Sequence, residues 1–101
     1  NARSMYQEFV SKEEKSARGY NGLALCDIAE GNYDSALANI AEGIAVARTE
    51  EMQSLLFNEI VVYEKKLDFN TAMEKVKDYL STYPEDKAAA KEKAFLETRI
   101  G

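Results

Sequence analysis

Residues 31–36 read Gly-Asn-Tyr-Asp-Ser-Ala, and residues 67–72 read Leu-Asp-Phe-Asn-Thr-Ala. Both stretches place a polar residue that can cap a helix before an aromatic residue, with an alanine three positions further on. The aromatic residues, Tyr33 and Phe69, stand 36 positions apart. We therefore interpret the two stretches as the same turn in two copies of an internal repeat.

Around these turns, apolar residues recur at spacings of three and four, which is the period of an amphipathic helix. This period predicts helices on both sides of each turn, and we expect their starts to be capped by Asn32, Thr49 and Asp68. Two terminal segments, residues 2–10 and 85–100, predict one further helix each. The sequence thus predicts an all-α fold of about six helices, and its short turns make neighbouring helices antiparallel.

The pattern resembles the tetratricopeptide repeat, a helix-turn-helix unit with a period of about 34 residues. The resemblance implies a right-handed α–α superhelix with a concave inner surface. Leu67 departs from the family at the turn glycine, and Glu59 stands where the family has a buried leucine. The residues that carry the resemblance are Tyr20, Leu23, Ala24, Gly31, Tyr33, Ala36 and Gly43 in the first copy, and Leu56, Ile60, Tyr63, Phe69, Ala72, Tyr79 and Pro84 in the second.

On this resemblance the chain is one domain. It consists of a half repeat (1–16), two repeats (17–50 and 53–86) and a capping helix (87–101). The run 55–63, with Asp68-Phe69 and the end at 83–86, also looks like repeat domains of bacterial exported lipoproteins, which would imply a tether outside the cell. The sequence leaves the compartment open between the cytoplasm and such a location.

Composition excludes several classes of function. The net charge is −5 and no basic block is present, which argues against nucleic-acid binding. No apolar run of about 18 residues exists, so we expect no insertion into a membrane by this segment. The chain has one cysteine, Cys26, and no histidine, which disfavours zinc and removes the commonest general base. We predict no metal, no cofactor and no enzymatic activity.

The resemblance implies that the first helix of each repeat lines the concave surface. On this surface, four apolar side chains form a strip: Leu25, Ile28, Phe57 and Val61. An exposed apolar strip of this kind usually marks a contact surface. We therefore predict a scaffold module that binds a protein or peptide in the groove, unless the capping helix or upstream residues already fill it. The candidate site residues are Arg18, Asn21, Leu25 and Ile28 from one helix, and Phe57, Val61 and Lys65 from the other.

Two alternatives remain at this point. The half repeat leaves an uncovered face near Tyr6 and Phe9, which would suit self-association into a homo-oligomer or a stack. An enzyme that uses Glu59 is a weaker alternative, because carboxylates with shifted pKa values also occur in structural networks. We interpret Glu59 as structural.

Overall fold

The computed structural model describes Arg3 and residues 17–100. Within these ranges the chain forms five helices and no strand, and two to four residues connect each helix to the next. The all-α prediction is confirmed, but with five helices in place of about six. The expected first helix, residues 2–10, lies outside the described residues except for Arg3. The helices are α1 (Ala17–Glu30), α2 (Tyr33–Val46), α3 (Thr49–Lys65), α4 (Phe69–Thr82) and α5 (Lys87–Ile100).

The core consists of two clusters of buried side chains that meet at α3. Each helix packs on the next one along the chain, and α1 also packs directly on α3. Because α3 contributes to both clusters, it is the element that joins the two halves of the molecule. One cluster contains Ala17, Ala24, Ala36, Ile40, Leu55 and Val62, and the other contains Ile60, Ala72, Met73, Val76, Tyr79, Ala89 and Leu96.

The turn after α1 is closed by a residue in the left-handed conformation. Gly31 has φ +80°, a region that glycine enters without a steric penalty. Its N–H donates to the carbonyl of Ile28 at 3.1 Å, and the next N–H, of Asn32, donates to the carbonyl of Asp27 at 2.8 Å. These two bonds satisfy carbonyls that the end of the helix would otherwise leave unpaired.

The turn after α3 repeats this geometry without a glycine. Leu67 has φ +65° and is the only non-glycine residue with positive φ in the described part of the chain. Its N–H donates to the carbonyl of Glu64 at 3.0 Å, and the N–H of Asp68 donates to that of Tyr63 at 2.9 Å. The two turns aligned by sequence therefore have the same backbone hydrogen bonds.

The predicted caps have mixed outcomes. Asp68 caps α4 as expected, since its side chain accepts a hydrogen bond from the Thr71 N–H at 3.2 Å. Asn32 occupies the N-cap position of α2 but makes no side-chain cap bond; its amide donates to Glu30 at 3.3 Å instead. The Thr49 prediction is wrong by one position, because α3 begins at Thr49 and Arg48 occupies the N-cap.

Small residues permit close contact between the helices. Ala24, Ala36 and Ala72 are fully buried, as the repeat pattern predicted. Tyr33 and Phe69 are half-buried and pack against the two clusters. The buried alanines thus allow close approach of the helices, and each aromatic residue of the turns packs against one cluster, Tyr33 against the cluster that contains Ala36 and Phe69 against the one that contains Ala72.

Candidate functional site

Polar side chains tie α1 to α3 at the centre of the sequence-predicted surface. The Asn21 amide donates to the Ser54 hydroxyl at 2.9 Å, and the Asn58 amide donates to the Asn21 carbonyl oxygen at 2.7 Å. Asn21 is therefore already engaged by two neighbours on α3. In this structure it joins the two helices, with one of its N–H groups and one acceptor position used by Ser54 and Asn58.

The predicted apolar strip is only partly exposed. Leu25 is 47% exposed on α1, whereas Ile28 is half-buried and packs against a core cluster. Phe57 is also half-buried, and its ring lies edge-on to that of Tyr79 at a centroid distance of 5.8 Å. Ile28 and Phe57 thus contribute to the core, and Arg18 is exposed at the start of α1.

A larger open groove lies between α3 and α5, and we call it the α3–α5 groove. Its volume is about 920 Å³. It contains Val61 and Lys65 from the predicted set, and its other lining residues come from α5, from the end of α3, from the turn that follows and from the start of α4. The lining residues are Val61, Glu64, Lys65, Leu67, Phe69, Lys91, Glu92, Phe95 and Arg99.

Exposed apolar side chains line part of this groove. Leu67 is 73% exposed, because the left-handed turn directs it away from the core, and Phe95 is 40% exposed. Phe69 and Phe95 meet edge to face with their ring centroids 6.3 Å apart, which connects the start of α4 with α5. Half-buried Val61 completes this apolar surface.

Three basic side chains line the same groove: Lys65, Lys91 and Arg99. The Arg99 guanidinium lies over the Phe95 ring, 5.0 Å from its centroid, where the ring attracts the cation. Among the described residues, none of the three forms an ion pair with a carboxylate. Their charges remain available to a ligand.

The two acidic residues of the groove, Glu64 and Glu92, interact with each other. The Oε2 atom of Glu64 is buried and receives no hydrogen bond from the described residues. Burial, a hydrogen bond with the Glu92 carboxyl group and the charge of Glu92 raise the pKa of Glu64 to about 8. At neutral pH, Glu64 is therefore mostly protonated and can donate a hydrogen bond to Glu92.

Asp27 is the most deeply buried charged group in the described chain, at 1% exposure. It accepts hydrogen bonds from Arg3 at 2.6 Å and from Ser35 and Asn39 at 2.8 Å each. Burial acts to raise the pKa of Asp27, but the three donors together lower it below its usual value. Such saturation with donors is typical of a structural carboxylate, and it was not predicted because the three donors are distant in sequence.

Glu59 forms an ion pair with Lys75, whose Nζ lies 3.8 Å from its Oε1. Burial raises the pKa of Glu59, while Lys75 opposes the rise. A pocket of about 220 Å³ adjoins the pair and also contains Asp78, Tyr79 and Thr82. The ion pair between Glu59 and Lys75 joins α3 to α4.

A polar network links Gln53, Tyr79 and Asp86 where α4 leads into α5. The Tyr79 hydroxyl donates to Asp86 at 2.5 Å and accepts from the Gln53 amide at 3.0 Å. Burial and the contact with Asp86 raise the pKa of Tyr79 to about 12. Asp86 also accepts from the N–H groups of Ala88 and Ala89, which caps α5. This network is structural.

No group of three or more side chains that could hold a metal ion occurs in the described ranges. None of the described helices is long and apolar enough to cross a membrane. The fold and the groove define a class, an all-α protein with an open groove between two of its helices. No protein-family model matches the sequence, and no curated protein matches it either.

Proposed function

We propose that the chain is a tetratricopeptide-type helical-repeat module that binds a peptide or a helix of another protein in the α3–α5 groove. The single observation that carries this proposal is the groove itself, where exposed Leu67 and Phe95 lie beside Val61 and Phe69. Apolar side chains left in water gain about 25 cal/mol for each Å² that a partner covers. The proposal includes no enzymatic step.

The repeat architecture in this proposal is supported by the paired turns. The chain takes the left-handed conformation at residues 31 and 67, and the same two backbone bonds follow in each case. Ala36 and Ala72 are equivalent in the repeat, and both are fully buried. Direct packing of α1 on α3 is the contact that stacked repeats make between their first helices.

Self-association is the alternative that the sequence analysis left open. The residues that motivated it, Tyr6 and Phe9, lie outside the described residues. The exported-lipoprotein resemblance and the choice of compartment likewise stay predictions. The α3–α5 groove is therefore the better supported site.

Selection from a random peptide library with the full chain tests the proposal. We expect enriched peptides that bind the parent chain and lose affinity for the variant Phe95→Glu. Val46→Glu is a matched control, because Val46 is 38% exposed against 40% for Phe95 and lies on α2 away from the groove. Leu25→Glu tests the sequence-predicted strip in the same way.

Peptide affinity is compared between the parent chain and the variants Phe95→Glu, Val46→Glu and Leu25→Glu. Loss in Phe95→Glu alone supports the α3–α5 groove, whereas loss in Leu25→Glu alone places the ligand on the α1–α3 strip and contradicts our site. A library that yields no specific peptide for the parent chain would refute the proposed function. Circular dichroism on each variant checks that the helices remain.

A further inference from the structure

We propose that the α3–α5 groove binds an acidic peptide segment that carries apolar anchor residues. This inference rests on the proposed function and names the chemistry of the partner. It is carried by one juxtaposition: exposed apolar side chains share the groove with Lys65, Lys91 and Arg99, which form no ion pair with a carboxylate among the described residues.

The charge of the groove is opposite to that of the chain. The full sequence has 13 basic and 18 acidic residues, whereas the groove has three basic and two acidic residues. The chain as a whole therefore repels an acidic peptide, whereas the groove attracts it. Such a contrast favours encounter at the groove and disfavours binding elsewhere.

The acidic groups of the groove oppose such a peptide weakly. The Oε2 atom of Glu64 is buried, and burial together with the neighbouring Glu92 raises the pKa of Glu64 to about 8, so Glu64 is mostly uncharged at neutral pH. Three cations therefore face a partner against one anion. A basic peptide would meet three repulsive contacts and one attractive contact.

Arg99 provides the most specific contact. Its guanidinium is positioned over Phe95 at 5.0 Å, so the planar donor group is partly oriented before a ligand arrives. A carboxylate can take two parallel hydrogen bonds from such a group. An apolar anchor beside that carboxylate would contact the Phe69 and Phe95 rings, which are 6.3 Å apart.

A second copy of this chain is a poorer occupant. If two α3–α5 grooves faced each other, the Lys65, Lys91 and Arg99 side chains of both copies would meet, and like charges brought together oppose association. Association between copies through the groove is nevertheless an outcome that the test distinguishes.

Fluorescence anisotropy with labelled peptides and the full chain tests the inference. The probe is an amphipathic peptide of about fourteen residues, with Leu and Phe on one face and Glu on the other. One control peptide replaces every Glu with Lys, and a second replaces Leu and Phe with Ser. We expect the glutamate probe to bind at least about tenfold more tightly than either control, with an affinity that falls as salt rises.

Variants of the protein locate the binding. Lys91→Glu and Arg99→Glu should each weaken the glutamate probe about tenfold. Lys77→Glu, at an exposed lysine on α4 outside the groove, should leave its affinity unchanged. All three positions are exposed, and Lys91→Gln repeats the test without introducing a negative charge.

Each remaining outcome has a defined meaning. Equal or tighter binding of the lysine peptide overturns this inference and leaves the proposed function standing, as does equal loss in Lys77→Glu and Lys91→Glu. Peptide selection that enriches only neutral or basic sequences also overturns this inference and leaves the proposed function standing. Dimerisation that Lys91→Glu abolishes, measured by light scattering, also overturns it, because a second copy then fills the groove. If no peptide of any kind binds, the proposed function fails as well.

Discussion

At the scale of single residues, the backbone of Leu67 is strained, yet the turn after α3 keeps its two backbone hydrogen bonds. Leu67 takes φ +65°, a conformation that costs an L-residue with a side chain about 1–2 kcal/mol. Its side chain is 73% exposed, so burial returns little of that cost. The equivalent position in the turn after α1 has Gly31, where the same backbone is almost free of strain.

We predict that Leu67→Gly raises the free energy of unfolding by about 0.5–1 kcal/mol. The gain is less than the full strain, since glycine also increases the entropy of the unfolded chain. Gly31→Ala should lower the free energy of unfolding by about 1 kcal/mol, although a Cβ at this position would meet no atom within 4 Å. Urea denaturation measures the free energy of unfolding of both variants. If Gly31→Ala stabilised the chain, the claim that positive φ at this position disfavours a residue with a side chain would be contradicted.

Glu64 makes stability depend on pH. The folded state raises its pKa from 4.5 to about 8, so the folded chain holds a proton that the unfolded chain releases. The stabilisation linked to this proton is fully present below about pH 4.5 and is lost as pH rises through about 8.

We predict that Glu64→Gln removes this loss, because the amide can donate to Glu92 at every pH. At pH 9 the variant should exceed the parent by about 1 kcal/mol in the free energy of unfolding, which is the contribution of one hydrogen bond. Glu97→Gln, at an exposed position of α5, is the control. Identical pH profiles for the parent and Glu64→Gln would show that the pair does not share a proton.

At the scale of elements, Gly43 allows α2 to pack closely on α1 and α3, because it has no side chain. A Cβ built at Gly43 would lie 2.9 and 3.1 Å from the two terminal carbons of Leu55 on α3, and 3.2 Å from the Cβ of Tyr20 on α1. The three helices therefore converge at this glycine, and larger groups must separate them.

We expect Gly43→Val to lower the free energy of unfolding by about 2 kcal/mol through overpacking. Ala45→Val, two positions away and exposed on the same helix, should cost only a few tenths of a kcal/mol through helix propensity. Thermal or urea unfolding compares the two. Helix propensity alone favours valine over glycine, so a Gly43→Val variant as stable as the parent chain would mean that the contact with α1 and α3 leaves room for the side chain.

The sequence predicted the elements better than their surfaces. The turns at Gly31 and Asp68 follow from local signals, and short-range periodicity defines the helices on either side. Exposure of a helix face depends on which neighbour covers it, and the sequence did not predict that half-buried Ile28 and Phe57 also pack against the core clusters. The sequence analysis interpreted residues 87–101 as a capping helix, so it did not predict that Phe95 and Arg99 line the α3–α5 groove.

At the scale of the whole molecule, α3 joins two core clusters, and the α3–α5 groove opens on one of its sides. A module built in this way can be rigid in its core and open at its surface, because the core does not use Leu67 or the three basic side chains of the groove. A ligand of the groove should therefore contact Leu67 and these basic side chains.

Amide chemical-shift mapping of the full chain with the glutamate peptide tests that point most directly. We predict that the largest changes fall at Val61, Leu67 and Phe95, and that residues around Leu25 on α1 change little. Largest changes on α1, or none at saturating peptide, would contradict the assignment of the α3–α5 groove as the binding site.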